Sequence, residues 1–212
     1  MKYLAIIIAL PVIFAGCLSG GITYTPPKSV QSEGNPAKVI EKPKSEVWKT
    51  LVSALGQKFF VINNMDKESG FINVSLSADP EKYLDCGGII SRVKNARGER
   101  EYSFPGATAS KSYETVESGN YFKVDRNLSF EGRANIIVQE VEKASTKVSV
   151  NVKYVLTLNT NQHFLDPNTI QWRMIPDTQT LSFNTGGTRR FPSGVTCIPL
   201  GTLERELLEV ER

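Results

Sequence analysis

Two stretches of alternating apolar and polar residues constrain this 212-residue chain more than any other feature. In the first, Leu128, Phe130, Ala134, Ile136 and Val138 alternate with polar or small residues. In the second, Val148, Val150, Val152, Tyr154, Leu156 and Leu158 alternate with Lys147, Ser149, Asn151, Lys153, Thr157 and Asn159. Successive side chains on a strand point to opposite faces, so a period of two predicts one buried face and one wet face. The link at 142–146 (EKAST) is polar and short enough to join the two stretches as an antiparallel hairpin. Ile170, Trp172 and Met174 repeat the pattern. Residues 180–184 and 188–191 flank Gly186-Gly187, which can supply the positive φ of a further tight hairpin. The chain must therefore be organised around antiparallel sheet.

Helical periodicity is confined to the two ends. After a short apolar-edged segment at 38–41, Pro43 stands at a first helical turn and an amphipathic run covers 44–58. Val47, Leu51, Ala54 and Leu55 share one face, Trp48 and Val52 widen it, and Gly56 sits where the helix can close. Residues 59–63 and 70–78 read as strands around turn chemistry at 64–70. At the far end Leu200, Leu203, Leu207 and Val210 form a stripe over 200–211, with Thr202 as its cap. The stretch 79–127 shows no stable period and reads as a partly ordered excursion with short strands at 99–104 and 120–124. The expectation is an α+β fold, a curved antiparallel sheet with an N-terminal and a C-terminal helix packed on it, as one domain over 37–212. That element order resembles the helix-grip arrangement.

The first residues carry an address. One positive charge at Lys2 precedes the apolar run 3–14 (YLAIIIALPVIF), which is shorter than the ~20 residues of a membrane span and reads as a secretion signal over 1–16. Phe14-Ala15-Gly16-Cys17 resembles the bacterial lipobox, which implies that Cys17 becomes the lipid-modified first residue of the mature chain. Acylation at Cys17 would hold the protein to the membrane, since each buried CH₂ contributes about 0.8 kcal/mol. Leu18 after the cysteine, by resemblance to Gram-negative lipoproteins, implies sorting to the outer membrane, on its periplasmic face. Residues 18–36 (LSGGITYTPPKSVQSEGNP) are rich in Gly, Ser, Thr and Pro and read, with Cys17, as a lipidated tether over 17–36. With Cys17 lipidated, Cys86 and Cys197 remain, and an even pair in an oxidising compartment reads as a disulfide. The alternative is two buried thiols that never meet.

Chemistry is sparse. A net charge of +3 over this length is too small for counterion-release binding, so a nucleic-acid partner is not expected. A single His leaves no room for a His-rich metal site and little for a Ser-His-Asp triad. His163, beside Asp166-Pro167, reads as a solvated residue of an inter-strand turn. None of the phosphate-loop, dinucleotide, zinc-protease or nucleophile-elbow motifs occurs, so the expectation is no catalytic residue, no metal and no cofactor. Tyr102, Phe104, Tyr113, Tyr121 and Phe122, interleaved with Lys111, Lys123 and Arg126, form the candidate partner surface, to which Arg189 and Arg190 add forked anion donors beside Gly186-Gly187.

The lipobox, the tether and the segments Glu46-Val47-Trp48 through Leu55, Phe60-Val61-Ile62 and Gly70-Phe71-Ile72 together resemble BamC-type outer-membrane lipoproteins, over the signal and residues 37–78. The resemblance implies a place near the outer-membrane assembly machinery. The expected role is that of a non-enzymatic periplasmic lipoprotein, attached to the membrane through its lipid and binding other envelope proteins. The second reading is a carrier or sensor of a small apolar ligand, held in a cavity between sheet and C-terminal helix.

Overall fold

The computed structural model describes residues 18–28, 36–58 and 60–209. The signal segment, Cys17, Phe59, Val210 and Glu211 lie outside the described residues. In chain order the elements are β1 (Ser19–Thr25), β2 (Ala37–Ile40), α1 (Lys44–Gln57), β3 (Val61–Asp66), β4 (Phe71–Ala78), a 3₁₀ turn (Pro80–Lys82) and β5 (Leu84–Asp85). There follow β6 (Gly88–Asn95), β7 (Gly98–Pro105), β8 (Ser110–Glu117), β9 (Asn120–Glu142), β10 (Ser145–Asp166), β11 (Gln171–Asn184), β12 (Arg189–Arg190), β13 (Thr196–Pro199) and α2 (Thr202–Leu208). The protein is mostly antiparallel sheet, with one short helix near each end of the described chain.

The two alternating stretches lie in β9 and β10, which are 23 and 22 residues long and pair from Ser145↔Glu142 to His163↔Lys123. Their neighbours change halfway along. Toward the β9–β10 turn, β4 pairs with β9 from Phe71↔Ile137 to Ala78↔Phe130, β3 pairs with β4, and β2 pairs with β10 at 146–149. Toward the opposite end, β8 pairs with β9 from Ser110↔Asn127 to Glu117↔Asn120, while β11 follows β10 through both halves, from Lys153↔Asn184 to Asp166↔Gln171. The first half is called the helix end and the second the arm end. A second, three-stranded sheet, β1-β6-β7, approaches β8 at the arm end, and β12-β13-β5 forms a third.

At the helix end every second residue of the central strands is buried: Leu128, Phe130, Ala134, Ile136 and Val138 on β9, and Val148, Val150, Val152, Tyr154, Leu156 and Leu158 on β10. Val47, Trp48, Leu51 and Leu55 of α1 and Leu203 and Leu207 of α2 close over this face in one continuous core. Each fully buried side chain of this size contributes about 1.5–3 kcal/mol relative to exposure. Gly132 interrupts the apolar row for a reason: a Cβ there would stand 2.5 Å from Leu203 Cδ2, so the missing side chain admits α2 to the sheet. Polar locks fix that helix. The Tyr154 hydroxyl donates to Glu204 Oε2 at 2.7 Å and the Thr185 hydroxyl to Glu204 Oε1 at 2.8 Å, while Lys82 pairs with Glu206 at 2.7 Å. Cys86 and Cys197 form a disulfide across 111 residues, tying the β5–β6 junction to β13.

Several expectations require correction. Residues 19–25 are not tether: β1 runs antiparallel to β6, from Ser19↔Lys94 to Thr25↔Gly88, because an edge of β6 offers unpaired backbone groups that a Gly/Thr-rich segment can satisfy. The 79–127 stretch is not an excursion. It supplies β5 to β8, and its lack of a clear period follows from half-burial on both sides, as in β8, where Thr115 and Val116 are both buried. The expected strands at 99–104 and 120–124 lie inside β7 and the start of β9. The turn in EKAST is Lys143-Ala144, since Ser145 and Thr146 already belong to β10 with a register shift between them. β11 is one long strand, and Gly186-Gly187 does not close a hairpin between 180–184 and 188–191: β12 pairs with β13 instead. The α2 cap is Gly201 in the left-handed region at φ 69°, not Thr202.

Candidate functional site

The arm end gathers the polar and aromatic residues that the sequence singles out. Cross-strand register lines up Ser112 with Asp125 and Glu114 with Lys123 between β8 and β9, then Lys123 with His163 between β9 and β10, then His163 with Met174 between β10 and β11. This row borders a cleft of about 520 Å³, walled also by Tyr102, Tyr113 and Trp172. His163 is therefore a strand residue, half-buried, and not part of the turn after it.

The acidic groups in the cleft are paired. His163 Nε2 lies 3.1 Å from Asp125 Oδ2, and the Ser112 hydroxyl donates to the other oxygen of the same carboxylate. The carboxylate stands between hydroxyl and imidazole, so the Ser-to-His contact that a nucleophilic relay needs is replaced by two contacts to Asp125. Beside it, Arg100 Nε bonds Glu114 Oε2. Burial alone would raise the Glu114 carboxyl, but hydrogen bonds from Tyr121 and Arg100 outweigh it and hold the group below its ordinary value. The Tyr121 hydroxyl, partly buried and facing that carboxylate, is pushed up to about 12. Burial likewise raises Tyr113. Lys123 Nζ stands 5.8 Å from the Trp172 ring, a cation–π distance.

A larger cavity of about 650 Å³ lies on the other side of Tyr113 and Val124, which border both spaces. Ile22, Tyr24, Ile89 and Leu158 give it apolar wall, and Arg126 and Arg190 give it cationic groups. Arg126 is 2% exposed and donates to the carbonyls of Thr108 at 3.0 Å and Gly106. Burial lowers its pKa.

The partner surface expected from sequence is thus only partly assembled. Tyr102 and Tyr113 face the cleft, and Tyr121 reaches its Glu114. Phe104 is core, 6% exposed, with its ring 5.2 Å from that of Tyr113, because strand pairing with Ile89 places it on the inner row. Phe122 packs on Phe164 at 5.8 Å. Arg190 borders the larger cavity and bonds the Gly194 carbonyl at 3.1 Å, whereas Arg189 is exposed and turned to the Thr188 carbonyl. Arg126, grouped with the surface cations in the sequence, is interior. A family-model scan, a search of curated proteins and a search of solved structures each return no match. Sequence reasoning missed Ser112, Glu114 and Asp125, whose signal is the register of β8 on β9 and not any local motif. No group of metal-binding side chains occurs among the described residues, and no helix among them is long and apolar enough to cross a membrane.

Proposed function

We propose that the protein is a lipid-anchored, non-enzymatic envelope component that docks another envelope protein through the arm-end cleft. The observation that carries this reading is the convergence of Tyr102, Tyr113 and His163 around one open cleft of about 520 Å³, with its acidic groups already engaged by Arg100, Ser112 and His163. Aromatic anchors beside satisfied charges are the composition of a recognition site, where burying a Tyr or Trp yields most of the binding energy. Anchorage rests on the lipobox at Cys17. The disulfide supports an exported setting. Both helices over one face of an antiparallel sheet support a helix-grip reading of the fold, and the resemblance of residues 37–78 to BamC-type lipoproteins supports a place on the periplasmic face of the outer membrane.

The test is a photo-crosslinking residue at Tyr102 or Ser112 of the full-length protein in its native envelope. A discrete protein adduct at these positions, missing when the same residue replaces Lys153 at the helix end, is the expected result. Equal adducts at all three positions, or none, would overturn the docking role.

The larger cavity favours a second reading, a carrier of a small amphiphile, with apolar wall for a tail and a polar rim of Arg126, Arg190, Glu117 and Asp177 for its head. The cavity lies between β1, β6 and the arm end, whereas the space beneath α2 is filled by buried Leu203 and Leu207. Native mass spectrometry separates the two: a carrier emerges with a bound lipid-sized mass, a docking protein without one.

A further inference from the structure

The beginning of the described chain and the exposed apolar arm meet at one end of the molecule. β1 starts at Ser19, opposite Lys94, so antiparallel pairing puts that start beside the β6–β7 turn at 95–97. The same logic places the β8–β9 turn next to the β10–β11 turn at 167–170. A cavity of about 400 Å³ joins the two groups, lined by Leu18, Arg97, Tyr121, Lys123, Leu165 and Trp172. Leu18, the residue that follows Cys17, therefore lies against the arm.

The tip of the arm is built against ordinary surface preferences. Ile170 is 78% exposed and Trp172 57%, with Leu165, Met174 and Ile175 also exposed. Ile170 also takes φ 54°, a left-handed conformation that strains a β-branched residue and that Gly or Asn would relieve. The turn is held in place: the Asp166 carbonyl accepts from Ile170 N at 2.8 Å, and Asp166 Oδ1 accepts from Asn168 N at 2.9 Å. Asp166 Oδ2 pairs with Arg173 Nε at 2.8 Å, which neutralises the carboxylate nearest the tip. Outward lie aliphatic surface, one indole and the cations Arg97 and Lys123, with exposed Glu117 at the neighbouring β8–β9 turn; the aliphatic groups, indole and cations are the composition of a segment seated at a lipid–water interface.

We infer that the arm end lies on a lipid surface, with Leu165, Ile170 and Trp172 at headgroup level beside the lipid on Cys17, so that the domain is held in one orientation directly on the bilayer. This deepens the anchored reading and rests on lipid modification of Cys17. The reach of the chain carries the argument. Two residues extended span at most about 7 Å, so a lipid on Cys17 leaves Ser19, and the arm beside Leu18, no room to stand off the membrane. Of the other exposed apolar residues described, Leu18 and Ile22 lie at or on β1, while Val39, Val61, Met65, Ile137 and Val141 belong to the helix end, where no comparable link ties them to the anchor.

The experiment uses the full-length, processed protein and its Trp172→Phe variant in phosphatidylcholine/phosphatidylglycerol vesicles whose acyl chains are brominated near the headgroup. Trp48, 7% exposed in the core under α1, serves as the internal control, and the difference between the two proteins isolates Trp172. The expected result is flotation with the vesicles and loss of most of the Trp172 emission to bromine, with Trp48 unquenched. Flotation with Trp172 unquenched would overturn the inference and leave the anchor standing. Failure to float would overturn both.

Discussion

The two ends of the β9–β10 ladder are made of the same kind of strand and are used differently. At the helix end the alternation is closed by α1 and α2, and Ile136, Val138, Val152 and Leu156 have no exposed surface. At the arm end the same strands continue, yet residues 160–164 are half-buried on both faces and 171–178 of β11 are exposed throughout. β9 and β10 pair with each other and with a flanking strand in both halves, so the presence of a ladder does not distinguish them. The difference is a cover. Apolar residues that meet a helix or the β1-β6-β7 sheet become core, and apolar residues that meet neither, such as Ile170 and Trp172, become a surface with something to bind.

The comparison can be broken most forcefully at the bridge between the two regions. Replacing both Cys86 and Cys197 with Ala should lower stability by about 4–5 kcal/mol, because the disulfide closes a loop spanning a separation of 111 residues. Urea unfolding of the full-length protein measures it, and a loss below about 1 kcal/mol would mean that the bridge constrains little. A smaller effect sharpens the role of α2. Tyr154→Phe removes one of two hydroxyl donors to Glu204, which is 2% exposed, and should cost about 1–3 kcal/mol with no change in vesicle contact. The smallest effect belongs to the cleft. Glu114 titrates below its ordinary 4.5 in the folded state, so the stability it adds is present above pH 4.5 and is lost as pH falls through the depressed folded value. Glu114→Gln should therefore flatten the acid limb of the unfolding curve, and an unchanged limb would show that the Arg100 and Tyr121 contacts do not act as described.

How much of this was legible in the sequence also differs between the two ends. The helix end was nearly transparent: the alternation over 128–138 and 148–158 and the Val47/Leu51/Leu55 stripe each reflect one buried face, and burial on one face is what produces a period. Gly132 read only as a gap in the row, because its reason lies in Leu203, some seventy residues away. The arm end was opaque where strands are covered on both sides or on neither. Thr115-Val116 loses the period because both residues are buried, Gly88–Asn95 hides it because polar Ser91 sits on the buried row and Ile90 off it, and Ser19–Thr25 carries turn-type residues yet forms a strand because an edge is waiting for it. The candidate site suffered most. Tyr102 and Tyr113 were found as aromatics in a charged stretch, but Phe104 in the same stretch is core. Asp125, Glu114 and Ser112 acquire their partners only through the β8–β9–β10 register, which no local signal specifies.

The central claim is that one half of a continuous strand ladder holds the fold while the other half is free for binding. Its most direct test is a matched pair of substitutions, Leu156→Ala at the helix end and Trp172→Ala at the arm end, compared by urea unfolding of the full-length protein. Leu156 is fully buried and should cost about 2–5 kcal/mol, whereas Trp172, more than half exposed, should stay within about 0.5 kcal/mol. Comparable losses at the two positions would contradict the division, since the arm would then be part of the structural core it is here set apart from.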